Sequence, residues 1–203
     1  MSTEDLRVGL CGVGTVGLAT VQILREQRAT LAARCGQTVS ITHVGARREI
    51  PQHDYAAARV SRDVMEVARD PDVDVLVELI GGTTVARDLI KLAIEQGKHV
   101  VTANKALIAE HGNELIHLAE QAGVQLRFEA AVAGGIPVIK TLREAMAANE
   151  VSEVAGIING TGNFILTEMS TKGRSYEDVL AEAQALGYAE ADPTFDVDGT
   201  DAA

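Results

Sequence analysis

The sequence predicts an α/β fold, in which a doubly wound parallel sheet is followed by part of a smaller α+β domain. Short apolar segments alternate with stretches of helical periodicity, and turn residues stand at nearly every junction. Aromatic residues make up only 3% of the chain, so the core is aliphatic, as in sheets whose strands are buried on both faces. A glycine-rich turn also joins the first apolar segment to the first helical one.

The alternation of strand and helix is clearest in the first part of the chain. Predicted strands occupy residues 6–11, 38–44, 73–80, 99–102 and 124–128. Predicted helices occupy residues 15–31, 84–95 and 112–121, and a further helix, capped by Ser61, runs through Arg69. Residues 51–60 are predicted to form a polar loop. Gly97 and Gly123 close the helices that precede them.

The pattern changes near Ala131. A glycine-rich turn over residues 132–137 precedes a predicted helix over 138–148, a strand over 151–158 and a helix over 163–171. Ser175 begins another helix, because Asp178 completes a capping pattern, and Gly187 ends it. We therefore predict two domains, residues 1–130 and a partial domain of residues 131–203.

Composition excludes several classes of function. The net charge of −11 repels phosphate backbones, so we expect no nucleic-acid partner. The two cysteines, Cys11 and Cys35, are too few for a disulfide framework. The acidic start lacks the features of a secretory signal, and no apolar run reaches membrane-spanning length. We expect a cytoplasmic protein with no membrane partner.

The turn after the first strand has the spacing G-x-G-x-x-G, with a strand before it and a helix after it. The first glycine permits the tight turn, the second lets a pyrophosphate approach the backbone, and the third lets the helix pack closely. We therefore predict that residues 1–130 form a Rossmann-type dinucleotide-binding domain; a glycine-rich turn without a ligand is the alternative. The predicted contacts are Gly12, Val13, Gly14, Thr15, Val16 and Gly17.

The second strand bears on which dinucleotide is bound. Enzymes that use NAD usually carry an acid at its end, but this strand is followed by Arg47 and Arg48. Either guanidinium could pair with a 2′-phosphate. We therefore predict NADP, with NAD possible, while two solvated loop arginines remain the alternative.

Two later strands also end in candidate cofactor residues. Gly81 and Gly82 follow the most apolar strand, where they could let a ribose or nicotinamide lie against the backbone, or merely form a tight turn. Thr102, Asn104 and Lys105 follow the next strand and should border the same crevice. By position alone, Lys105 could be a general acid, a carboxylate anchor or a surface residue.

The stretch from Glu129 to Pro137 could bind a cation. Its exposed carbonyl groups at Val132, Gly134 and Ile136 could act together with the Glu129 carboxylate, since oxygen-rich loops bind hard cations. The alternative is a hinge between the two domains.

The second domain holds two further candidate stretches. The segment Gly160-Thr161-Gly162-Asn163 could form an anion site, or Thr161 or Asn163 could simply cap a helix. A cluster of acids closes the chain and could hold a metal, an amine or nothing. Its members are Glu190, Asp192, Asp196, Asp198 and Asp201.

Together these motifs resemble the homoserine dehydrogenase family, and the likeness runs through the chain in order. The matching segments are GVGTVG, ELIGG, TANK, EAAVAGGIP, GIINGTGNFIL and GYAEADPTFDVDGTDAA. The resemblance implies reversible NAD(P)-dependent reduction of L-aspartate 4-semialdehyde to L-homoserine, in the biosynthesis of threonine, methionine and isoleucine. It also implies that residues 131–203 belong to a substrate-binding, catalytic and dimerisation domain, and that the full-length protein is a homodimer.

The resemblance also implies roles for single residues. Lys105 would donate a proton to the aldehyde oxygen or position it, and Glu190 would hold the substrate ammonium. Asp196 and Asp201 would orient the substrate and a catalytic lysine. Thr161 and Tyr188 would line the substrate pocket. The family's site for a monovalent cation, Na⁺ or K⁺, would comprise Glu129, Val132, Gly134 and Ile136.

One departure from the family concerns length. The family's second catalytic lysine lies a few residues beyond the position of Ala203, so we expect these 203 residues alone to be weakly active or inactive.

A semialdehyde-oxidising dehydrogenase would need a cysteine nucleophile beside a base, and neither Cys11 nor Cys35 is suitably placed. A non-catalytic NADP-binding module or partner subunit is the remaining alternative.

Overall fold

The computed structural model describes residues 5–47, 55, 58–189 and 192–199. The chain forms two compact units, Met1–Ala147 and Ala148–Ala203. Among the described residues, no helix combines the length and the apolar character that a membrane crossing requires.

The first unit contains a six-stranded sheet in which every observed pair of strands is parallel. The strands follow the order β3-β2-β1-β4-β5-β6, so β1 lies between β2 and β4 and the chain winds outward in both directions. This topology confirms the predicted doubly wound sheet. The strands are β1 (Leu6–Cys11), β2 (Val39–Gly45), β3 (Arg59–Ser61), β4 (Val75–Glu78), β5 (His99–Thr102) and β6 (Leu126–Arg127).

Helices connect the strands of the sheet. They are α1 (Thr15–Glu26), α2 (Arg28–Cys35), α3 (Val64–Arg69), α4 (Thr84–Glu95) and α5 (Lys105–Ala122). After the sheet come a 3₁₀ turn (Glu129–Ala131), the short helix α6 (Val138–Lys140) and a π-helical turn (Thr141–Ala145). The predicted helix over 15–31 is in fact two helices that meet at Gln27, and the one predicted over 138–148 becomes π-helical after Lys140.

Two predicted helix starts in the first unit are wrong, and in both cases the real start is set by a side-chain cap. Helix α5 begins at Lys105 rather than Gly112, because the side-chain oxygen of Asn104 accepts a hydrogen bond from the Leu107 N–H at 3.1 Å. Helix α3 is capped by Asp63, which accepts from Met65, and not by Ser61. The latter residue ends β3, and its hydroxyl donates to Glu66.

The hydrophobic core of the first unit is aliphatic, as the composition predicts. Its largest fully buried side chains on β4, α4 and α5 include Leu76, Leu89, Ile90, Leu107 and Leu115. Within this core α4 packs against β4 and β5, and α5 packs against α4. This packing fixes where the carboxyl ends of those two strands lie, and the candidate site is built there.

The second unit contains α7 (Gly160–Lys172), α8 (Tyr176–Ala185) and α9 (Thr194–Val197). The predicted cap of α8 is confirmed, since the Ser175 hydroxyl accepts from the Asp178 N–H at 3.2 Å. The strand predicted over 151–158 is absent. The described part of this unit holds no strand to pair with it, and Ile157 is 82% exposed. A β-branched segment cannot form a ladder alone, because strand hydrogen bonds need a neighbour.

Candidate functional site

The glycine turn after β1 is so tight that two of its glycines admit no side chain. Gly12 has a φ of +99°, and a Cβ atom there would lie 2.5 Å from the carbonyl oxygen of Leu79. A Cβ atom at Gly17 would overlap the carbonyl oxygen of Gly12. Both positions therefore require glycine, because the turn is pressed against the end of β4 on one side and against its own helix on the other.

The middle glycine of the motif differs from the other two. A Cβ atom at Gly14 would meet nothing within 4 Å. Gly14 is the N-cap residue of α1, no side chain caps this helix, and its first turn contains no acid. The first N–H groups of an α-helix lack intrahelical acceptors, so this open helix start suits an anion such as pyrophosphate. Thr15 and Val16 are exposed beside it, and Val13 is half-buried.

The end of β2 lies beside this turn. The Gly12 N–H donates to the carbonyl oxygen of Gly45 at 2.9 Å, so the residues that follow β2 lie along the same edge of the sheet. Arg47 is exposed there. Arg48 lies outside the described residues. The proposed contact of these arginines with a 2′-phosphate stays a prediction.

A buried carboxylate organises the turn at the end of β4. Glu78 is fully buried, and its Oε1 atom accepts from the N–H groups of Ile80 at 2.8 Å and Gly81 at 3.2 Å. Gly81 and Gly82 both have a φ of +72°, which favours glycine, and both are exposed. The turn therefore presents bare backbone at the carboxyl end of the strand, and its predicted contact with a ribose or nicotinamide stays a prediction.

The end of β5 is tied to the same carboxylate. The Thr102 hydroxyl donates to Glu78 Oε2 at 2.6 Å and accepts from the Asn104 N–H at 3.0 Å. The Asn104 amide donates to the carbonyl oxygen of Gly82 at 2.7 Å. Lys105 follows as the exposed first residue of α5. The structure thus gathers these predicted residues at one edge of the sheet, although the buried Thr102 side chain faces Glu78.

Sequence reasoning missed Glu78, although the residue begins the ELIGG segment. The available signal was an acid at the end of an apolar run, which is costly to bury without partners.

Burial raises the pKa of the Cys11 thiol strongly, and the charge of Glu78 raises it further. Because the thiolate is the nucleophilic form, Cys11 is unsuited to covalent catalysis.

The predicted cation ligands lie in the loop that follows β6. Both carboxylate oxygens of Glu129 accept backbone N–H groups, from Ile139 at 3.0 Å and from Lys140 at 2.8 Å. The carboxylate thus holds the start of α6, and each oxygen keeps a further lone pair that a cation can use. Val132, Gly134 and Ile136 lie in the loop between, and the Ile136 carbonyl already accepts from Val138. The monovalent-cation site stays a prediction.

The second unit holds the other predicted residues. Asn159 caps α7 by accepting from the Gly162 N–H at 2.6 Å, so the cap is neither Thr161 nor Asn163. Its amide also donates to Asp196 at 2.8 Å. The helix starts at Gly160, about one turn earlier than predicted, and its cap therefore lies just before the glycine-containing segment that the sequence singles out.

Two of the predicted substrate residues contact each other. The Thr161 hydroxyl donates to the Tyr188 carbonyl oxygen at 2.7 Å. Tyr188 is 57% exposed, and its ring lies edge-on to Phe164, with ring centroids 5.3 Å apart. Glu190 and Asp201 lie outside the described residues, and their roles stay predictions.

The parallel sheet, the glycine turn against the end of β4 and the open start of α1 define a dinucleotide-binding protein of the Rossmann type. Two family models match the chain: "Homoserine dehydrogenase, NAD binding domain" over residues 12–129, and "Homoserine dehydrogenase" over residues 137–203. The chain belongs to the homoserine dehydrogenase family.

Comparisons with single proteins agree. The homoserine dehydrogenase of Pseudomonas aeruginosa is 58% identical over 200 residues, which cover 98% of this chain and 46% of that protein. The crystal structure of a homoserine dehydrogenase from Thiobacillus denitrificans superposes with a TM-score of 0.88 at 50% identity and covers 98% of this chain and 46% of that one. A hyperthermophilic archaeal homoserine dehydrogenase in complex with NADPH gives 0.80 at 27% identity, with 98% and 66% covered. The chain thus spans about half the length of the curated relatives it matches.

Proposed function

We propose that this protein functions as a homoserine dehydrogenase. It would interconvert L-aspartate 4-semialdehyde and L-homoserine with a nicotinamide cofactor. The observation that supports this most directly is that two homoserine dehydrogenase models together cover residues 12–129 and 137–203 in chain order. The geometry of the glycine turn supports the cofactor half of the proposal independently.

The cofactor would lie along the carboxyl edge of the sheet, and when bound it supplies the hydride. The start of α1 at Gly14 would hold the pyrophosphate through helix N–H groups. The exposed backbone of Gly81 and Gly82 would border the ribose or nicotinamide. In this arrangement the protein contributes position and charge.

Lys105 is the proposed acid–base residue. As the carbonyl carbon of the semialdehyde is reduced, negative charge grows on its oxygen, and the Lys105 ammonium would donate a proton to that atom. In the reverse direction the neutral amine would accept the proton of the homoserine hydroxyl. A positioned general acid of this kind typically contributes about 10²–10⁴-fold to the rate.

The acids of the second unit are assigned to the substrate. Glu190 would pair with the substrate ammonium, since an unpaired buried charge is costly, while Asp196 and Asp201 would orient the reacting groups. Asn159 holds the Asp196 carboxylate by a hydrogen bond, which fits a residue with a fixed orientation. Thr161 and Tyr188 would line the pocket.

Two finer proposals concern ions and assembly. A monovalent cation, Na⁺ or K⁺, would bind the loop of Glu129, Val132, Gly134 and Ile136, and activity measured with and without each ion tests this.

The full-length protein would form a homodimer. Light scattering would contradict that assignment if it gave a monomer mass. The cytoplasmic location stays a prediction.

The test of the proposal is homoserine oxidation by the full-length protein, together with NADPH titration of the 203-residue chain by fluorescence. Wild type should bind, and Gly14→Val should weaken binding by about tenfold or more, because the side chain occupies the approach to the helix N–H groups. Gly156→Val is the matched control, since a Cβ atom there also meets nothing within 4 Å. Equal affinities of wild type and Gly14→Val would show that the site is misplaced.

The preference for NADP is tested in the same titration. Replacing Arg47 and Arg48 by alanine should weaken NADPH binding and spare NADH, because only the former carries a 2′-phosphate. An equal loss for both cofactors would count against a contact with that phosphate.

A further inference from the structure

We propose that Glu78 is a positioning residue that sets both the backbone turn of Gly81 and Gly82 and the start of the helix that carries Lys105. The inference rests on the proposed function for the meaning of Lys105. It rests on the structure alone for the link between the two elements. Glu78 itself is buried beneath the site and touches neither substrate nor cofactor in this assignment.

The Glu78 carboxylate uses both of its oxygens. One accepts two N–H groups from the turn that follows β4, and the other accepts the hydroxyl of Thr102 on β5. A carboxylate with no exposed surface must have such partners, because an unpaired buried charge is strongly unfavourable. Its three donors come from two neighbouring strand ends, so Glu78 fixes their relative position.

The hydrogen bonds continue past Thr102 and return to the turn. The Thr102 hydroxyl has one proton, which it donates to Glu78. Its oxygen is left to act as an acceptor, and it accepts the N–H of Asn104. The Asn104 side chain then donates to the carbonyl oxygen of Gly82 and caps α5 through Leu107. The result is a closed ring, Glu78–Gly81–Gly82–Asn104–Thr102, with Lys105 next in the chain.

The direction of these hydrogen bonds requires a carboxylate. A Gln side chain has one oxygen acceptor, so an amide at position 78 could serve the turn N–H groups only by aiming its NH₂ at Thr102. The Thr102 hydroxyl would then have to turn its proton away within a buried site, where a lost partner is costly. Glu78→Gln therefore breaks the ring while keeping nearly the same shape.

The ring also lies where position matters for function. The carboxylate and the Thr102 hydroxyl are buried, but the elements they hold, Gly81, Gly82 and Lys105, are exposed at the edge of the sheet. A shift of about 1 Å in reacting groups can cost about a hundredfold in rate. Loss of the ring should therefore weaken cofactor binding and displace the proton donor Lys105 more than it destabilises the core.

The test compares Glu78→Gln, Thr102→Val, Thr102→Ser and the double variant Glu78→Gln/Thr102→Val. NADPH affinity is measured in the 203-residue chain, and kcat and KM for homoserine in the full-length protein. Glu78→Gln and Thr102→Val should each weaken NADPH binding about tenfold and lower kcat by more than they raise KM. Thr102→Ser should lose less than Thr102→Val, because it keeps the hydroxyl. The double variant should lose no more NADPH affinity and kcat than the more damaging of the two single variants, because each substitution breaks the same ring.

Val100→Ala is the control for a purely structural effect. Val100 is fully buried on β5 and lies outside the ring, so its truncation should lower the melting temperature without changing NADPH affinity. If Glu78→Gln behaves like Val100→Ala, or if the losses of Glu78→Gln and Thr102→Val multiply, the proposal is overturned. Should Glu78→Gln fail to fold, the contrast between Thr102→Val and Thr102→Ser decides, and equal affinities of these two would also overturn it.

The two proposals fail in different ways. If the wild-type full-length protein does not oxidise homoserine but the ring variants still weaken NADPH binding together, the reaction is misassigned and the positioning role of Glu78 stands. If homoserine is oxidised and the ring variants keep wild-type NADPH affinity and kcat, the positioning role is wrong and the proposed reaction stands.

Discussion

The three glycines of the glycine turn after β1 contribute to it for different reasons. Gly12 and Gly17 are required by neighbouring carbonyl oxygens that leave no room for a side chain. Gly14 has open space around it, so the fold itself tolerates a side chain at that position. Only a ligand at the start of α1 would exclude one. The contrast makes Gly14 the residue at which binding and folding can be separated experimentally.

The Arg7–Asp74 pair shows how a charged contact ties the start of β1 to the start of β4. Arg7 donates to both carboxylate oxygens, with Nε at 3.0 Å and a terminal nitrogen at 2.6 Å, and its backbone N–H adds a third bond. The hydrogen bonds from the Arg7 side chain hold the pKa of Asp74 below its usual value and outweigh the opposing effect of burial.

We expect Asp74→Asn to remove a pH-dependent part of the stability. A carboxyl group whose folded pKa is depressed stabilises the fold above its unfolded pKa of about 3.9, and that contribution is lost as the pH falls through the folded pKa. Since both side chains are about a third exposed, the loss near neutral pH should be below about 1 kcal/mol. Urea unfolding of wild type and variant from about pH 7 to about pH 2 measures the difference.

The difference between wild type and Asp74→Asn should shrink toward zero at the acid end of this range. Asp88→Asn, which changes an exposed carboxylate on α4, is the matched control. A difference that stays constant through the acid range would contradict the assignment.

At the scale of elements, four of the described helices begin at a side chain that satisfies backbone N–H groups. Asp63, Asn104, Asn159 and Ser175 each accept a bond from the first turn of the helix that follows. Two of these caps also make a second contact, because Asn104 binds the turn after β4 and Asn159 binds Asp196. In these two cases one side chain therefore positions both a helix start and a neighbouring candidate site residue.

Asn159 offers a sharp test at this scale. Asn159→Asp keeps an oxygen for the Gly162 N–H but places a second carboxylate against Asp196, where the native amide donates. We expect this variant to melt at a lower temperature than wild type, because like charges in contact repel. Adding Asp196→Asn should recover the loss. Asn159→Ala removes the cap as well and should cost about 1 kcal/mol.

The measurement is thermal unfolding of the four proteins at one pH. The double variant serves as the control, since it restores one amide facing one carboxylate. If Asn159→Asp is as stable as wild type, or if Asp196→Asn does not improve it, the contact does not hold Asp196 in place.

At the scale of the whole molecule, the compact units divide after Ala147, whereas the sequence predicts a change of role after residue 130. Contacts across residue 130 account for the difference. Glu129 holds the start of α6, and Arg127 pairs with Glu144 at 2.8 Å. Residues 131–147 therefore fold with the first unit, while the predicted division of roles at 130 stays a prediction.

We expect a fragment of residues 1–147 to unfold cooperatively and to bind NADPH as tightly as the 203-residue chain. All members of the main hydrophobic core lie between Cys11 and Phe128, within that fragment. A fragment of residues 1–130 should melt at a lower temperature, because Glu129 and Arg127 lose their partners. Calorimetry and NADPH titration of both fragments provide the comparison. Equal melting temperatures would show that residues 131–147 do not stabilise the first unit.

Much of the fold and part of the site could be predicted from local patterns. The bounds of β1, α4 and β5 follow from runs of apolar residues and from turn residues beside them, and the glycine turn follows from its spacing. Helix α5 starts earlier than its apolar pattern predicts. The sequence did not reveal this start, because the residue types around its cap, Asn104, suggest cofactor contacts as much as a helix start. The strand predicted over 151–158 failed for a different reason, since its apolar pattern specifies a strand only where a partner strand exists.

The sequence by itself determined the family, the alternation of strand and helix, and the place of the dinucleotide turn, because these depend on residues close together in the chain. Only the tertiary structure decided that Glu78 on β4 faces Thr102 on β5, and that Asn104 returns to Gly82. Those contacts arise from the order and register of parallel strands, which are set by packing between segments far apart in sequence. No local pattern contains that information, so the hydrogen-bonded ring beneath the site became visible only in three dimensions.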